Sequence, residues 1–298
     1  MSENKELLNN RSICSWNVNG LRATVRNFPD ILSSIVSYYN LDILCLQETK
    51  LQTTHEDDFR NHIPGYTSFW CSSVLRKGYS GTAIFVRNDI MYGYYNTHDH
   101  GHQLPEINDQ NLEKTKINFF LRQIDLDTLK FAPYEAKAEG RMIVLEFRYY
   151  VLINLYVPNS GSEKLKYRVE DWDVKLYNCL CEIRTMTNKP IMMTGDLNIC
   201  ITELDIHPAM GLIPGATPEE RYSFSRFLPY FVDIYRMMYP NETNCYTWRN
   251  LRAKNSSKGC RLDYFMLNHE LVPYVINTFI NSQIEGSDHV PIFLNIKI

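Results

Sequence analysis

The sequence predicts an α/β sandwich in which two packed mixed sheets carry helices on their outer faces. Short apolar runs of strand length recur along the whole chain, too many for a helical bundle. Several of them are almost continuously apolar, as strands buried on both faces are. Amphipathic helical stripes separate them, and 44% apolar content over 298 residues is enough to bury a large core in one domain.

A short polar tail is expected over residues 1–11, followed by one domain over 12–298. Strands are expected at 12–18, 41–47, 80–86, 142–147, 150–157, 190–195, 261–268 and 291–297. The run Leu41 to Gln47 ends on Glu48, which sets a carboxylate at the tip of a buried strand. A helix is expected over 163–186, where Leu165, Val169, Trp172, Leu176, Cys179 and Ile183 keep one apolar stripe. Thr217-Pro218-Glu219-Glu220 joins an N-cap, a first-turn proline and a capping-box acid, so a second helix starts there and runs through Phe224 and Leu228. Across residues 92–139 the periodicity lapses, and the stretch reads as a partly ordered insertion on a sheet edge.

A net charge of −3 and a pI near 6.3 exclude wholesale coating of nucleic acid or an anionic membrane, while leaving room for a local basic face. Eight cysteines lie mostly inside apolar runs, with no Cys-x-x-Cys pair, and read as reduced core thiols. The N-terminus is polar and nowhere do 18 apolar residues run together. An intracellular protein, nuclear or cytoplasmic, is expected rather than a secreted or membrane-spanning one.

The richest clue is Gly286-Ser287-Asp288-His289-Val290-Pro291-Ile292, a carboxylate and an imidazole just before the last strand. Three other strand ends carry similar groups: Asn17 and Asn19 in Ser15-Trp16-Asn17-Val18-Asn19-Gly20, Glu48 in Leu46-Gln47-Glu48-Thr49-Lys50, and Asp196 and Asn198 in Thr194-Gly195-Asp196-Leu197-Asn198. Glu48 suits a hard divalent cation. Asp196 beside Asn198 suits a hydrolytic step, since the acid can take a proton and the amide can hold a water. Asp263 is placed to hydrogen-bond His289 and fix its tautomer. Arg249, Arg252, Lys254, Lys258 and Arg261 occur without an intervening acid, and Arg22, Arg26, Lys164 and Lys166 add charge near the site-bearing loops, a plausible phosphate-binding rim. His98, His100 and His102 alternate within the insertion, where a polar loop is favoured over a metal site.

Taken with Gly78-Tyr79-Ser80-Gly81, Leu155-Tyr156-Val157-Pro158-Asn159, Thr217-Pro218-Glu219-Glu220-Arg221 and Arg261-Leu262-Asp263-Tyr264-Phe265, these segments resemble the exonuclease III family of apurinic/apyrimidinic endonucleases. That family lies within the DNase I-like endonuclease/exonuclease/phosphatase superfamily. The resemblance runs from Ile13 to the C-terminus. It implies a four-layered α/β sandwich and a Mg²⁺-dependent hydrolysis, with Mn²⁺ able to substitute. The expected substrate is double-stranded DNA with abasic sites or blocked 3′ ends, cut 5′ to the abasic site to leave a 3′-hydroxyl, and the expected state is a monomer.

By matched position the resemblance implies Glu48, Asn19 and Asp288 near the metal, with Asp196 and Asn198 at the attacking water. His289, held by Asp263, and Tyr156 would act on the phosphate, in a pocket completed by Asn17 and Asn159. Arg22, Tyr79, Lys164, Arg249 and Arg252 would touch DNA; Phe224, Trp248, Cys260 and Leu262 would line the abasic-sugar pocket. Two departures stand out. Cys260 replaces the tryptophan of many relatives and the preceding loop from Thr247 to Gly259 is shorter, so a looser sugar pocket is expected. Asn19 replaces the aspartate of some relatives. A superfamily phosphatase or phosphodiesterase on another phosphorylated substrate, or a catalytically weak DNA-binding protein, are the competing readings.

Overall fold

The computed structural model describes residues 9–91, 121–249 and 258–298. The expectations placed on Arg252, Lys254, His98, His100 and His102 lie outside the described residues. In chain order the strands are β1 (Asn10–Asn17), β2 (Ile43–Gln47), β3 (Tyr66–Cys71), β4 (Thr82–Arg87), β5 (Leu121–Ile124), β6 (Met142–Phe147), β7 (Val151–Tyr156), β8 (Ile191–Asp196), β9 (Phe231–Asp233), β10 (Trp248–Arg249), β11 (Gly259–Cys260), β12 (Asp263–Asn268), β13 (Val275–Ile280) and β14 (Ile292–Lys297). One six-stranded sheet runs β13-β14-β1-β2-β4-β3, another runs β5-β6-β7-β8-β12-β9, and β10 pairs with β11.

The two large sheets face each other. Alternation along β2 sends Ile43 and Cys45 into an apolar layer shared with Leu152, Met192 and Phe265 of the second sheet. Leu44 and Leu46 point the other way, beneath the helices α1 (Leu21–Asn27) and α2 (Ile31–Tyr38), against Leu32 and Ile35. On the far side of the second sheet, Val151, Ile153 and Leu155 pack beneath α3 (Asp173–Thr187) through Leu176, Cys179 and Ile183. Helix, sheet, sheet and helix thus make four layers.

All eight expected strands are present, within a residue or two at each end. The first starts at Asn10, where it pairs with Lys297, so residues 10 and 11 belong to the sheet rather than to a tail. The expected 163–186 helix is present as one continuous helix over 165–187, wound as a π-helix over Tyr167–Trp172 before it continues as α3. Thr217 caps α4 (Pro218–Phe224) with a full capping box, but the helix stops at Phe224 instead of continuing through Leu228. Within the 92–139 stretch, the described residues lie on the expected sheet edge and are ordered. Residues 121–139 form part of the second sheet and its core: β5 pairs with β6, and Ile124, Leu126, Leu129 and Ala136 are buried against Trp172 and Leu176. Alternation is weak there because Arg122 and Gln123, on opposite faces of a short edge strand, are both exposed.

Strand direction explains how distant segments meet. β1 runs parallel to β2 with Asn17 opposite Gln47, and β7 runs parallel to β8 with Tyr156 opposite Asp196. Their C-terminal ends therefore emerge together at one edge of the sandwich, the side on which open α/β sheets place ligands. β12 and β14 run antiparallel to β8 and β1, so Asp263 and the segment before Ile292 arrive at the same edge from the opposite direction.

Candidate active site

Asn17 lies at the centre of this edge, fully buried, and its Nδ2 donates to Asp196 Oδ2 at 2.8 Å and to Glu48 Oε1 at 3.1 Å. One amide thereby holds two carboxylates from different sheets within reach of each other. Gly195 makes this possible on the Asp196 side. Its φ of +128° and the approach of Leu155 O, which a Cβ would meet at 2.0 Å, leave room for no side chain. Asn19, Glu48 and Asn198 all occupy the left-handed region, at φ 47°, 50° and 47°. For Glu48, which lacks the short amide that eases such a conformation, this is backbone strain of the kind found at functional sites.

His289 is buried between two acids. Its Nδ1 is 2.8 Å from Asp263 Oδ2, and its Nε2 is 3.8 Å from Asp196 Oδ2. Burial alone would lower the imidazole's basicity, but Asp263 and Asp196 raise it far enough to hold the ring protonated near neutral pH. Burial, reinforced by Asp263 and Glu48 and opposed by His289, raises the Asp196 carboxyl above its ordinary value. Trp16 fixes the histidine backbone by donating its indole N–H to His289 O at 3.0 Å.

Asn198 turns back on Asp196, its backbone N–H donating to Asp196 Oδ1 at 2.9 Å and its Nδ2 to Val157 O at 2.8 Å. Asn159 joins by donating to Asn198 Oδ1 at 3.0 Å. The Tyr156 side chain lies beside Glu48 and Asp196, and burial together with these two carboxylates pushes its hydroxyl pKa well up. The sequence thus placed Asn17, Glu48, Tyr156, Asn159, Asp196, Asn198, Asp263 and His289 in one cluster.

Beside it lies a second group of oxygens. Asp288 accepts from Asn19 Nδ2 at 2.8 Å and from Trp248 Nε1 at 3.0 Å. Lys50 Nζ stands 2.9 Å from Glu48 Oε2 and also donates to Asn19 Oδ1. Burial would raise the Glu48 carboxyl, but Lys50, Asn17 and His289 hold it below its ordinary value. An ammonium bridging a carboxylate and an amide oxygen marks a place built to receive positive charge, and these hard oxygen donors fit a divalent cation. Asp196, Asp263 and His289 also bring ligand-capable atoms within 4.8 Å of one another, but there His289 Nδ1 is already engaged by Asp263 Oδ2 at 2.8 Å.

Of the other sequence candidates, Arg22 on α1 and Lys164 are exposed, and Arg249 is half-buried with its backbone N–H on Asp288 O at 3.0 Å. Tyr79 accepts a hydrogen bond from Arg141 Nη2 at 2.6 Å. Of the four expected pocket residues, Trp248, Cys260 and Leu262 meet in one small apolar cluster, and Phe224 lies apart from it. Phe224 lies in the deep core against Phe227. Cys260 and Leu262 are buried in a small cluster with Cys200 and Ile206, and Cys260 Sγ packs 3.9 Å from Met210 Sδ. Only Trp248, paired opposite Cys260, is partly exposed beside Asp288. The antiparallel register between β10 and β11 buries the smaller residue and presents the indole.

Three side chains that the sequence reading passed over support the site: Lys50, Arg141 and Arg168. Arg141 donates to Tyr156 O at 3.1 Å and lies over the Tyr156 ring, 4.8 Å from its centroid. Arg168 is almost wholly buried and donates to Pro158 O, Leu197 O and Asn198 O, tying the loops after β7 and β8 together. Its position one turn before Trp172 on an apolar stripe was the readable signal.

A profile of the Endonuclease/Exonuclease/phosphatase family matches residues 14–289. The chain is 33% identical over 293 residues to an exodeoxyribonuclease of Bacillus subtilis, covering 96% of this chain and 99% of that one. It is 32% identical over 298 residues to DNA repair nuclease APEX1 of Danio rerio, covering 97% and 83% of the two chains. Among solved structures, AP endonuclease LMAP from Leishmania major superposes with a TM-score of 0.79 at 26% identity, over 97% of this chain and 88% of that one. An AP endonuclease from Archaeoglobus fulgidus shares the fold with a TM-score of 0.71 at 24% identity, over 97% and 100%.

Proposed function

Because the chain belongs to the endonuclease/exonuclease/phosphatase family, we propose that it is a DNA-repair hydrolase. It cleaves the phosphodiester bond 5′ to abasic sites and leaves a 3′-hydroxyl, with processing of 3′ ends as a second activity. The observation that carries this reading is the buried Asn17 amide joining Asp196 to Glu48, with the Asp263–His289 pair against the same Asp196 carboxylate. Names of similar proteins from bacterium to fish point the same way.

Phosphodiester hydrolysis needs an oriented water, a base to take its proton, and positive charge where the phosphate oxygens gain negative charge. Asp196, whose proton affinity burial raises, is matched to taking a proton near neutral pH. Asn198 holds that carboxylate's orientation and, with Asn159, offers polar contacts to the incoming water and phosphate. His289, kept protonated by Asp263, donates to a non-bridging phosphate oxygen, and the Tyr156 hydroxyl lies at the same pocket. Glu48, Asn19 and Asp288 would hold Mg²⁺, or Mn²⁺ in its place. When bound, the ion would neutralise charge developing on the phosphate. Arg22, Lys164 and Arg249 supply phosphate contacts around the rim, and the enzyme acts as an intracellular monomer on duplex DNA.

The test is a duplex carrying one central tetrahydrofuran abasic analogue, run beside undamaged and recessed-end duplexes, with and without EDTA. Cleavage 5′ to the analogue that EDTA abolishes is expected. Turnover on none of the three DNAs would return the assignment to another phosphorylated substrate.

A further inference from the structure

Directly beneath the site, the apolar packing between the two sheets gives way to a pair of primary amides. Gln47, the last residue of β2, and Asn154, two residues from the end of β7, are both fully buried. Gln47 Nε2 donates to Asn154 Oδ1 at 2.7 Å and to Ser15 Oγ at 2.9 Å. Asn154 Nδ2 crosses in the other direction and donates to Leu46 O at 3.0 Å and Ala83 O at 2.9 Å. One side chain of the second sheet thus grips neighbouring strands of the first at the level where Leu46 pairs with Ala83.

Burying two amides in an apolar layer costs free energy unless their hydrogen bonds are made, and aliphatic side chains of similar volume would fill the same space. What the amides add is direction. Apolar faces can slide over each other with small loss, whereas the three bonds that cross between the sheets are made in a single alignment, and the fourth ties β2 to β1. The residues so aligned matter. Gln47 precedes Glu48, and Asn154 lies on the same face of β7 as Tyr156, whose side chain lies beside Glu48.

We propose that Asn154 and Gln47 are positioning residues for phosphodiester cleavage, locking the ends of β2 and β7 so that Glu48 and Tyr156 meet across the sheets. The proposal rests on the nuclease reading above. Neither amide touches substrate; both act through the residues they hold.

The comparison is between Asn154→Leu, Gln47→Leu, the double variant, and Ile183→Ala as a control in the core beyond the second sheet. Thermal melting, kcat and KM on the abasic duplex, and Mn²⁺ affinity by electron paramagnetic resonance are measured for each. Asn154→Leu should lower kcat by about tenfold to a hundredfold with little change in KM, the scale expected for a misplacement near 1 Å. It should also weaken Mn²⁺ binding, while Ile183→Ala lowers the melting temperature and leaves both readouts alone. The double variant should be no worse than the poorer single one, because the pair acts as a unit. A folded Asn154→Leu with wild-type kcat and Mn²⁺ affinity, or an Ile183→Ala with the same losses, overturns the proposal. Should Asn154→Leu not fold, Gln47→Met breaks the same amide pair from the other sheet and takes its place. If the wild type does not cleave the duplex, the nuclease reading fails, and Mn²⁺ affinity still decides whether the amides position Glu48.

Discussion

Glu48 combines three properties seldom found together: a left-handed backbone, a carboxylate split between Asn17 and Lys50, and a position at the end of a buried strand. Glu48→Gln keeps the shape and the amide contact but removes the charge that a hard cation needs. Activity at ordinary Mg²⁺ should fall by at least about a thousandfold, roughly the scale of losing one preorganised charge contact, with the circular dichroism spectrum unchanged. Wild-type rates at saturating Mg²⁺ would remove Glu48 from the metal site. His289→Asn retains a donor toward Asp263 yet loses the imidazolium, so kcat should drop while DNA binding, read by fluorescence anisotropy, changes little. Parallel loss of binding and turnover would make His289 a ground-state contact instead.

At the scale of elements, the clearest demand is between β7 and β8. Gly195→Ala would put a methyl carbon 2.0 Å from Leu155 O at a φ few other residues tolerate, and it should destabilise the fold by upwards of about 3 kcal/mol. Chemical denaturation measures this directly; a loss under 1 kcal/mol would show that β8 can shift away without penalty. The β10–β11 hairpin gives the opposite lesson about residue 260. The sequence suggested that a small thiol there opens a pocket, but strand register buries Cys260 against Met210 and Cys200. Cys260→Trp should therefore overpack that cluster and cost about 1–3 kcal/mol. A stable variant with a changed preference for abasic over intact duplex would put residue 260 back in the pocket. The difference between success and failure is physical. Strand tips such as Glu48 and Asp196 are legible because a carboxylate ending an apolar run is costly without a purpose. Which face of a two-residue strand is buried depends on a partner across the chain, so the burial of Cys260 was not legible in its own segment.

At the scale of the molecule, the eight strands whose apolar runs are long were readable, and those left out are edge or short pieces: β3, β5, β9, β10, β11 and β13. Edge strands need satisfy one neighbour and one face, so their periodicity is diluted by exposed polar residues, as at Arg122 and Gln123. The 92–139 stretch shows the consequence. Its last third carries Ile124, Leu126 and Leu129, each buried in the core beneath α3, and β5, which covers the edge of β6. At roughly 2 kcal/mol per buried aliphatic side chain, their loss approaches the 5–15 kcal/mol that typically holds a domain folded. Deleting 92–139 should therefore yield an aggregated or unfolded chain. Replacing only 92–120 with a shorter glycine-serine linker keeps every core and site residue named above, and long segments cost little closure entropy. That variant should melt cooperatively and cleave the abasic duplex at a rate close to wild type. If it folds but loses cleavage, residues 92–120 belong to the DNA-binding surface; if the larger deletion folds, the β5 edge is not needed for the core.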